Sequence, residues 1–180
     1  MNGIVYEKNK KQILLVSKYV LYAMPYNKEW KDVTWENCSL RKWLNEDFYK
    51  SAFDSKEQSM IKTVTLKNPS NPKSGVSGGK DTKDKVFILS REDLLNPAYG
   101  YDSDPVAYDH GRRCSATKYA IYNSGYLSED AARVSTWWLR TPGSSATNAV
   151  YVDQDDTVND GGHAVRDGDG VRPALYIDIK

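Results

Sequence analysis

The sequence has few cysteines and no long hydrophobic run, and each scarcity argues against a class of protein. Cys38 and Cys114 are the only cysteines among 180 residues, and neither has a second Cys or a His at metal-ligand spacing. We therefore expect neither a disulfide framework nor a zinc site. Because no run of about 18 apolar residues occurs, we expect no membrane insertion by this chain. The first residues, MNGIVYEKNKKQILLV, lack a small-residue cleavage site and do not resemble a signal peptide or other targeting signal.

Net charge is also nearly absent. Lys plus Arg number 25 and Asp plus Glu number 24, which gives a formal charge of +1. A nucleic-acid-binding surface is normally strongly basic, so we expect no nucleic-acid partner. The length fits a single domain, 1–180, and 13 Tyr and 5 Trp are enough to build a core.

Lysine and glutamate are missing from one stretch of the chain. Of the 17 lysines, 16 lie at or before Lys118 and the last is Lys180. Residues 144–170 contain six Asp and one Arg but no Lys and no Glu, although 24 of the 180 residues are Lys or Glu. This stretch is therefore under a different constraint from the rest of the chain.

The first 143 residues combine short strands with short helices. We predict strands at residues 12–17, 63–66, 85–89 and 137–140, of which the apolar run KVFIL at 85–89 is the clearest. Helices are expected after N-cap residues, with helical apolar spacing behind them, at Ser39, Ser55 (with Gln58), Ser90 (with Asp93), and Ser115 or Thr117. Residues 68–84 and 99–113 are rich in turn-forming residues and are predicted to be irregular loops.

Valines recur singly after Gly143, and clusters of Asp, Asn and Gly separate them. The pattern predicts a meander of short strands, with the other residues facing solvent and a core formed by Val150, Val152, Val158, Val165 and Val171. Residues 171–177 are predicted to be a strand that Pro173 places at an edge or a bulge. The fold class is therefore α+β with a β-rich C-terminal half.

No residue pattern predicts catalysis. His110 and His163 are the only histidines, and neither has a serine elbow or a Cys partner at recognisable spacing, so we interpret both as surface histidines. Residues 77–81, SGGKD, lack the spacing of a phosphate-binding loop. The expectation is no catalytic residue, no bound metal and no cofactor.

Two binding patterns compete with simpler structural explanations. Oxygen ligands for calcium could come from either of two groups, Asp153, Asp155 and Asp156, or Asp160, Asp167 and Asp169. No EF-hand spacing fits, and Asp is common in turns without any metal. Trp137, Trp138 and Arg140 could form a sugar-stacking platform, but alternate strand residues point to opposite faces, so we favour a core role for both tryptophans.

Several strings together resemble a known bacterial domain of undefined function, common in gut Firmicutes and their phages. The strings are TWENCSLRKWLNEDFYKSAF (34–53), GGKDTKDKVFILS (78–90), ATKYA (116–120), STWWLRTPG (135–143) and GVRPAL (170–175). The resemblance covers nearly the whole chain. It implies a C-type-lectin-like fold, in the branch that contains the formylglycine-generating enzymes, with short helices packed on a small, mostly antiparallel sheet.

Within that family, the interval between WWLRTPG and GVRPAL is similar to the variable region of proteins that are diversified by retroelements. Error-prone copying at adenines of AAY codons reaches Asn, Ser, Thr, Tyr, Asp, His, Ala, Gly and Arg, but not Lys, Glu, Gln, Met or Trp. Residues 144–170 contain none of the unreachable residues except Gln154, which must then be a fixed codon. A meander with tight turns, however, prefers Asp, Asn, Gly and Thr without any such mechanism.

The resemblance implies a non-enzymatic ligand-binding domain, in which residues 1–143 are a scaffold, 144–169 a variable binding region and 170–180 a closing strand. Such a domain would be displayed on a cell surface, secreted or carried on a phage particle, and would bind a protein or glycan on another cell or host surface. Tyr151 and Arg166 are the expected hot spots, because Tyr and Arg carry much of the binding energy in interfaces. The full set of expected contact residues is Ser144, Ser145, Ala146, Thr147, Asn148, Tyr151, Asp153, Asp155, Asp156, Thr157, Asn159, Asp160, His163, Arg166, Asp167 and Asp169.

Two alternatives remain at this point. The first is a fixed carbohydrate- or calcium-binding lectin module, although the EPN, QPD and WND strings of calcium-dependent lectins are missing. The second is an enzyme like the formylglycine-generating enzymes, which use two cysteines in the C-terminal part of the domain, whereas no Cys follows Cys114.

Overall fold

The computed structural model describes residues 3–8 and 12–178 and has an α+β architecture. Its strands are β1 (Gly3–Lys8), β2 (Gln12–Ser17), β3 (Tyr22–Pro25), β4 (Val64–Leu66), β5 (Thr82–Asp84), β6 (Trp137–Pro142), β7 (Asn148–Val152), β8 (Val158–Ala164), β9 (Gly168–Val171) and β10 (Ala174–Asp178).

The helices are short. They are α1 (Ser39–Trp43), which continues through a π-helical turn (Leu44–Phe48) into α2 (Tyr49–Ala52), then α3 (Ser55–Met60), α4 (Arg91–Leu94) and α5 (Lys118–Ser124), with 3-10 turns at Pro97–Tyr99 and Glu129–Ala132. Among the described residues, none of the helices has the length and apolar character needed to cross a bilayer.

Four of the last five strands form most of the main sheet, whose order is β3-β9-β6-β7-β8. Its pairs are antiparallel except for β6 and β9, which meet in parallel at Trp137 and Gly170. A three-stranded sheet, β1-β2-β10, and the β4-β5 pair complete the topology. The mostly antiparallel sheet and the β-rich C-terminal half are thus confirmed, while β1 and β3 were not predicted.

The predicted strand at residues 171–177 is wrong as a single element, because the chain changes sheets there. Arg172 and Pro173 separate β9, in the main sheet, from β10, in the three-stranded sheet. Ser17 is hydrogen-bonded to both residues of this connection. Its backbone N–H donates to the Pro173 carbonyl at 2.8 Å, and its own carbonyl accepts from Arg172 Nε at 2.8 Å. The Arg172 guanidinium lies 4.8 Å from the centre of the Trp137 ring, so the string GVRPAL closes the core between two sheets.

Both tryptophans of β6 lie inside the protein, which confirms the core interpretation and removes the sugar platform. Trp137 and Trp138 are completely buried, and every residue of β6 is buried. Trp137 Nε1 donates to the Arg112 carbonyl at 3.2 Å and Trp138 Nε1 to the Met24 carbonyl at 2.9 Å. The central strand is therefore covered on both faces, which is why two adjacent indoles can both be buried.

Helix capping follows the sequence closely but not at every residue. The predicted N-caps Ser90, in a capping box with Asp93, and Thr117 are confirmed. Two other N-caps lie one residue earlier than predicted: Cys38, whose sulfur accepts from Arg41 N at 3.4 Å, and Asp54, which forms a capping box with Glu57.

The clearest strand prediction, for the run KVFIL at residues 85–89, is wrong. Residues 86–89 are buried, but they form no strand. Phe87 and Ala174 form an isolated antiparallel bridge with backbone hydrogen bonds of 2.9 and 2.7 Å, and the Leu89 carbonyl accepts from Arg140 N at 2.9 Å. A short apolar run indicates that its residues are buried, but apolar character alone does not specify that they pair in a hydrogen-bonded ladder.

The predicted loop at residues 68–84 is shorter and more buried than expected. Thr82–Asp84 forms β5, paired with β4. Asn71 is 1% exposed, and its side-chain amide donates to the carbonyls of Pro142 at 2.8 Å and Asp160 at 3.0 Å. The loop is therefore attached to the end of β6 and to the middle of β8.

The second predicted loop, residues 99–113, is irregular as expected, and a buried arginine organises it. Arg112 is completely buried, and its guanidinium donates to four carbonyls of its own loop, those of Asp102, Asp104, Pro105 and Ala107. The backbone N–H of Val158 donates to the Pro105 carbonyl at 2.7 Å, which fixes this loop against the start of β8.

Candidate functional site

The predicted valine scaffold of the C-terminal half is confirmed. Val150, Val152, Val158, Val165 and Val171 are all between 0 and 4% exposed. Strands β7, β8 and β9 carry or flank them, so the surface between residues 144 and 169 has a rigid apolar support.

The sixteen expected contact residues of the 144–169 segment divide into three groups by exposure. Ser144, Ser145, Asp155, Arg166 and Asp167 are exposed. Ala146, Thr147, Asn148, Asp153, Thr157, Asn159 and His163 are half-buried. The remaining four are buried: Tyr151, Asp156, Asp160 and Asp169, at 5%, 1%, 7% and 3% exposure. Ala149 is also buried, so the expectation that non-valine residues face solvent is wrong at these five positions.

Asp160 is buried because two scaffold cations neutralise it. Arg91 donates through Nε to Oδ1 and through Nη2 to Oδ2 at 3.2 Å, and Lys73 Nζ lies 2.9 Å from Oδ2. Burial by itself raises the pKa of the Asp160 carboxyl, but the hydrogen bonds from Arg91 and Lys73 outweigh it and hold that pKa below its usual value. Asp160 therefore joins β8 to α4 and to the 68–84 loop.

Asp156 makes an equivalent connection at the β7–β8 turn. Its Oδ2 lies 3.0 Å from Nη2 of Arg113 and 3.2 Å from Nδ1 of His110. The backbone of Asp156 has φ of 69°, a left-handed conformation that Asp adopts more readily than most residues. His110 is largely exposed, as expected for a surface histidine, and contacts the carboxylate from outside.

His163 belongs to an ordered polar cluster. Its ring stacks on Tyr151 with centroids 3.5 Å apart, and its Nδ1 lies 2.7 Å from Oδ2 of Asp169, whose Oδ1 accepts from the Thr136 hydroxyl. The hydrogen bond with Asp169 raises the pKa of His163, although partial burial opposes the shift. The side chain of His163 is 38% exposed, so one side of the imidazole remains in contact with solvent.

Tyr151 is not available as a hot spot, which corrects the sequence-based expectation. Its hydroxyl donates to Asp153 Oδ2 at 3.2 Å and accepts from Asn159 Nδ2 at 3.0 Å. Burial raises the pKa of Tyr151, and the nearby Asp153 carboxylate raises it further. The ring fills space under His163 and is 5% exposed.

The two aspartate groups considered for calcium are not assembled into ion sites. Within residues 3–8 and 12–178, no group of three or more His, Cys, Asp or Glu side chains is placed to hold a metal ion. The three buried carboxylates are bound by other side chains. Asp156 pairs with Arg113, and Asp160 pairs with Arg91 and Lys73. Asp169 is hydrogen-bonded to Thr136 and His163.

A cleft opens along β8, between the segment and two scaffold loops. Its volume is about 510 Å³, and its lining residues are Lys73, Ser74, Val106, Ser144, Thr157, Val158, Asn159, Asp160 and Gly161. Val106 is 63% exposed, and Tyr108 in the same loop is 76% exposed. Sequence reasoning missed these scaffold residues because the hydrogen bonds that attach their loops to β8 join positions far apart in the chain.

The segment also meets another scaffold loop, residues 27–33. The N–H of Asn27 donates to the Val165 carbonyl at 2.8 Å, and the N–H of Val33 donates to the Ala146 carbonyl at 2.9 Å. Trp30, within this loop, is 57% exposed. The candidate binding face therefore consists of the exposed part of the segment and the edges of three scaffold loops.

Both cysteines lie in the interior, as free thiols. Burial raises the pKa of Cys38 to about 12, and burial also raises the pKa of Cys114. A thiol with a raised pKa is protonated near neutral pH and is a poor nucleophile.

Comparisons with known proteins place the chain in a family without assigning it an activity. No curated protein and no solved structure matches the chain. A family model described as a domain of unknown function, DUF6273, matches residues 10–179. Because this match spans nearly the entire sequence, the chain belongs to the DUF6273 family.

Proposed function

We propose that the chain is a non-enzymatic ligand-binding domain with a C-type-lectin-like fold, and that the 144–169 segment is its binding region, diversified by a retroelement. The domain would act on a cell surface, in secreted form or on a phage particle. Its ligand would be a protein or glycan on another cell or host surface.

The main support is the separation of roles within the segment. Buried valines and three buried carboxylates attach the segment to the scaffold. Exposed polar residues, among them Ser144, Asp155 and Arg166, cover the outside. A surface that tolerates substitution needs such a fixed interior, because changes at exposed positions then alter binding at little cost in stability.

The thiols support a binding role over an enzyme like the formylglycine-generating enzymes. That activity needs reactive cysteines, and burial raises the pKa of both thiols of this chain. The two thiols also have separate partners: Cys38 donates to the Trp35 carbonyl at 3.6 Å and Cys114 to the Lys18 carbonyl at 3.4 Å.

The surrounding DNA tests diversification. We expect a reverse transcriptase gene and a near-identical template repeat, with mismatches confined to template adenines. The structure sharpens this test, since mismatches should fall at codons for exposed residues such as Ser144, Ser145 and Arg166 and should spare those for Asp156 and Asp160. Mismatches spread over all four template bases would contradict the retroelement proposal.

Binding itself is tested on arrays of purified glycans and recombinant bacterial surface proteins. A triple variant on the face, with Lys replacing Ser144, Asp155 and Asp167, should weaken any array signal by at least tenfold, about 1.4 kcal/mol. The matched control makes the same charge change at exposed scaffold positions, with Lys replacing Asp47, Ser51 and Glu92. A signal that survives in the face variant, or that disappears in the control, would overturn the assignment of the binding face.

A further inference from the structure

An aromatic groove lies between β3, α2 and α5, outside the 144–169 segment. Its volume is about 480 Å³, and its aromatic lining residues are Tyr19, Tyr22, Phe48, Phe53 and Tyr119. The other lining side chains are those of a leucine, an alanine and a threonine. No charged or amide side chain lines this groove, so it suits a part of a ligand that carries no charge.

The aromatic surface of the groove is fixed by the fold. Tyr22 belongs to β3, and its ring packs edge-to-face on Phe48 and Tyr119, with centroids 5.7 and 5.2 Å apart. Phe48 packs edge-to-face on Phe53 at 5.9 Å, and both phenylalanines are buried. Tyr19 and Tyr119 are 37% and 55% exposed, so apolar ring surface remains in water. A preformed surface of this kind loses little conformational entropy when a ligand binds.

The hydroxyls of the three groove tyrosines have no hydrogen-bond partner within the described part of the chain. By contrast, the hydroxyl of the buried Tyr26 donates to the Arg140 carbonyl at 2.9 Å. Burial raises the pKa of Tyr22, and the nearby Tyr119 raises it further, so this phenol is protonated near neutral pH. The groove therefore offers a ligand hydrogen-bond donors on an apolar surface.

These polar groups select among uncharged ligands. Phenol hydroxyls donate readily to carbonyl oxygens, but the lining side chains include no carboxylate or amide oxygen to accept from a ligand. A saccharide would bring many hydroxyl donors, and an ordinary extended peptide would bring backbone N–H groups, without such acceptors to pair them. Proline has no backbone N–H, so a proline-rich segment brings apolar rings and carbonyl acceptors.

A base lies against one of the groove rings. Lys18 is exposed, and its Nζ is 5.5 Å from the centre of the Tyr19 ring. Within the described part of the chain, Lys18 forms no ion pair. An acidic residue next to a run of prolines would complement this charge.

We propose that this groove binds a proline-rich peptide segment in the polyproline II conformation, with an acidic residue beside the prolines. The proline rings pack on Tyr19, Tyr22 and Tyr119, whose hydroxyls donate to the carbonyls of the segment, and Lys18 pairs with the acidic residue. Aromatic grooves suit this helix, because it has no internal hydrogen bonds and is already extended in the free ligand. The site does not require the 144–169 segment to bind a ligand or to vary.

The test titrates the intact protein with a synthetic peptide of about eight prolines, about 25 Å long as a polyproline II helix, flanked by glutamates. Calorimetry measures the affinity, and amide chemical shifts locate the site. We expect a dissociation constant below about 1 mM, with the largest shifts at the groove residues. A matched peptide with glycine at every second proline should bind about tenfold more weakly, because glycine is flexible and restores N–H groups.

Variants of the protein test the groove. Tyr119→Ala should weaken peptide binding about tenfold or more, and Tyr119→Phe, which keeps the ring and loses the donor, about fivefold. Lys18→Gln should reduce the preference for the glutamate-flanked peptide over a lysine-flanked one. The matched control is Tyr122→Ala, which removes a 68% exposed tyrosine of the same helix that does not line the groove and should leave the affinity unchanged.

Four results would overturn the proposal. The first is no peptide binding up to the solubility limit, and the second is tighter binding of the lysine-flanked peptide. The third is an equal loss of affinity in Tyr119→Ala and Tyr122→Ala. The fourth is a dimer in sedimentation that Tyr119→Ala dissociates, since a second copy would then occupy the groove.

One further variant separates this site from the candidate binding face. The face variant, with Lys at positions 144, 155 and 167, should bind the peptide normally. Loss of peptide binding in that variant would place the peptide on the 144–169 face and would also overturn the groove proposal. Failure of the peptide to bind leaves the proposal for the 144–169 face to its own experiments.

Discussion

Ion pairs join the basic N-terminal part of the chain to the acidic 144–169 segment. Asp160 pairs with Arg91 and Lys73, and Asp156 pairs with Arg113. In each case the acid comes from the segment and the base from the scaffold. The uneven distribution of charge along the sequence is therefore explained in part by basic scaffold residues that pair with acidic residues of the segment.

This comparison separates two kinds of aspartate within the segment. Asp156, Asp160 and Asp169 are buried and neutralised or hydrogen-bonded, whereas Asp155 and Asp167 are exposed. Composition alone treats them as equivalent, because both kinds occur in the same turn-rich sequence. The buried kind stabilises the fold, and the exposed kind remains available for binding.

The largest expected effect comes from removing a buried carboxylate. Asp160→Asn leaves Arg91, 14% exposed, without its counter-charge, and should lower the free energy of unfolding by about 3 kcal/mol. Asp167→Asn, at an exposed position, should change it by less than about 0.5 kcal/mol. Urea unfolding near neutral pH measures both variants, and equal effects would contradict the division into two kinds of aspartate.

The same variant has a defined pH dependence. Because its pKa is lowered in the folded state, Asp160 stabilises the protein above its unfolded-state pKa of about 4, and this contribution is lost as pH falls through the folded-state pKa. The difference in free energy of unfolding between wild type and Asp160→Asn should therefore become smaller below about pH 4. A difference that stays constant down to pH 2 would show that the ion pairs are not its cause.

A smaller loss is expected at the β7–β8 turn. Asp156→Asn keeps a residue that tolerates the positive φ but removes the charge that Arg113 and His110 contact, so it should cost about 1.5 kcal/mol. Arg113 is 50% exposed, which is why this loss is smaller than that at Asp160. Asp155→Asn in the same turn is the matched control. Its free energy of unfolding, measured in urea, should stay within about 0.5 kcal/mol of the wild-type value.

His163 gives a still smaller effect that depends on pH. Its pKa is raised in the folded state, so its contribution is complete below the unfolded-state pKa of about 6.5 and is lost as pH rises through the folded-state value. Solvent screening at a side chain 38% exposed keeps the contribution below about 1 kcal/mol. The melting-temperature difference between wild type and His163→Gln should be larger at pH 5.5 than at pH 8.5. In an Asp169→Asn background this pH dependence should become much smaller, and its persistence at full size would exclude the Asp169 carboxylate as the main cause.

The smallest effect is expected on the outer surface of the segment. Single substitutions of Ser144, Ser145 or Arg166 by Ala should each change the free energy of unfolding by less than about 0.5 kcal/mol, because these residues are exposed. Thermal unfolding of the three variants provides the measurement. A loss above about 1 kcal/mol at any of them would mean that this surface is part of the fold and is not free to vary.

Local features were predictable and long-range ones were not. The Ser90 and Thr117 caps depend on residues three positions away, and the buried valines depend on the spacing of apolar residues between turns. By contrast, the run at 85–89 lacks a ladder because of where Ala174 lies, more than 80 positions away. Solvent exposure within the candidate site was predictable at positions such as Ser144 and Arg166, where turn chemistry and exposure coincide. The burial of Asp156 and Asp160 was not predictable, nor was the exposure of Trp30, which lies in another part of the chain.

The sequence by itself determined the α+β class, the short capped helices and the apolar rows of the C-terminal strands, because capping and periodicity act over a few residues. Only the tertiary structure decided the order of the strands, the change of sheet at Arg172 and Pro173, and which aspartates are buried. Each of these depends on a partner contributed from far along the chain, such as Arg91 for Asp160. The environment of a carboxylate is set by the groups that surround it after folding, and local sequence does not encode that environment.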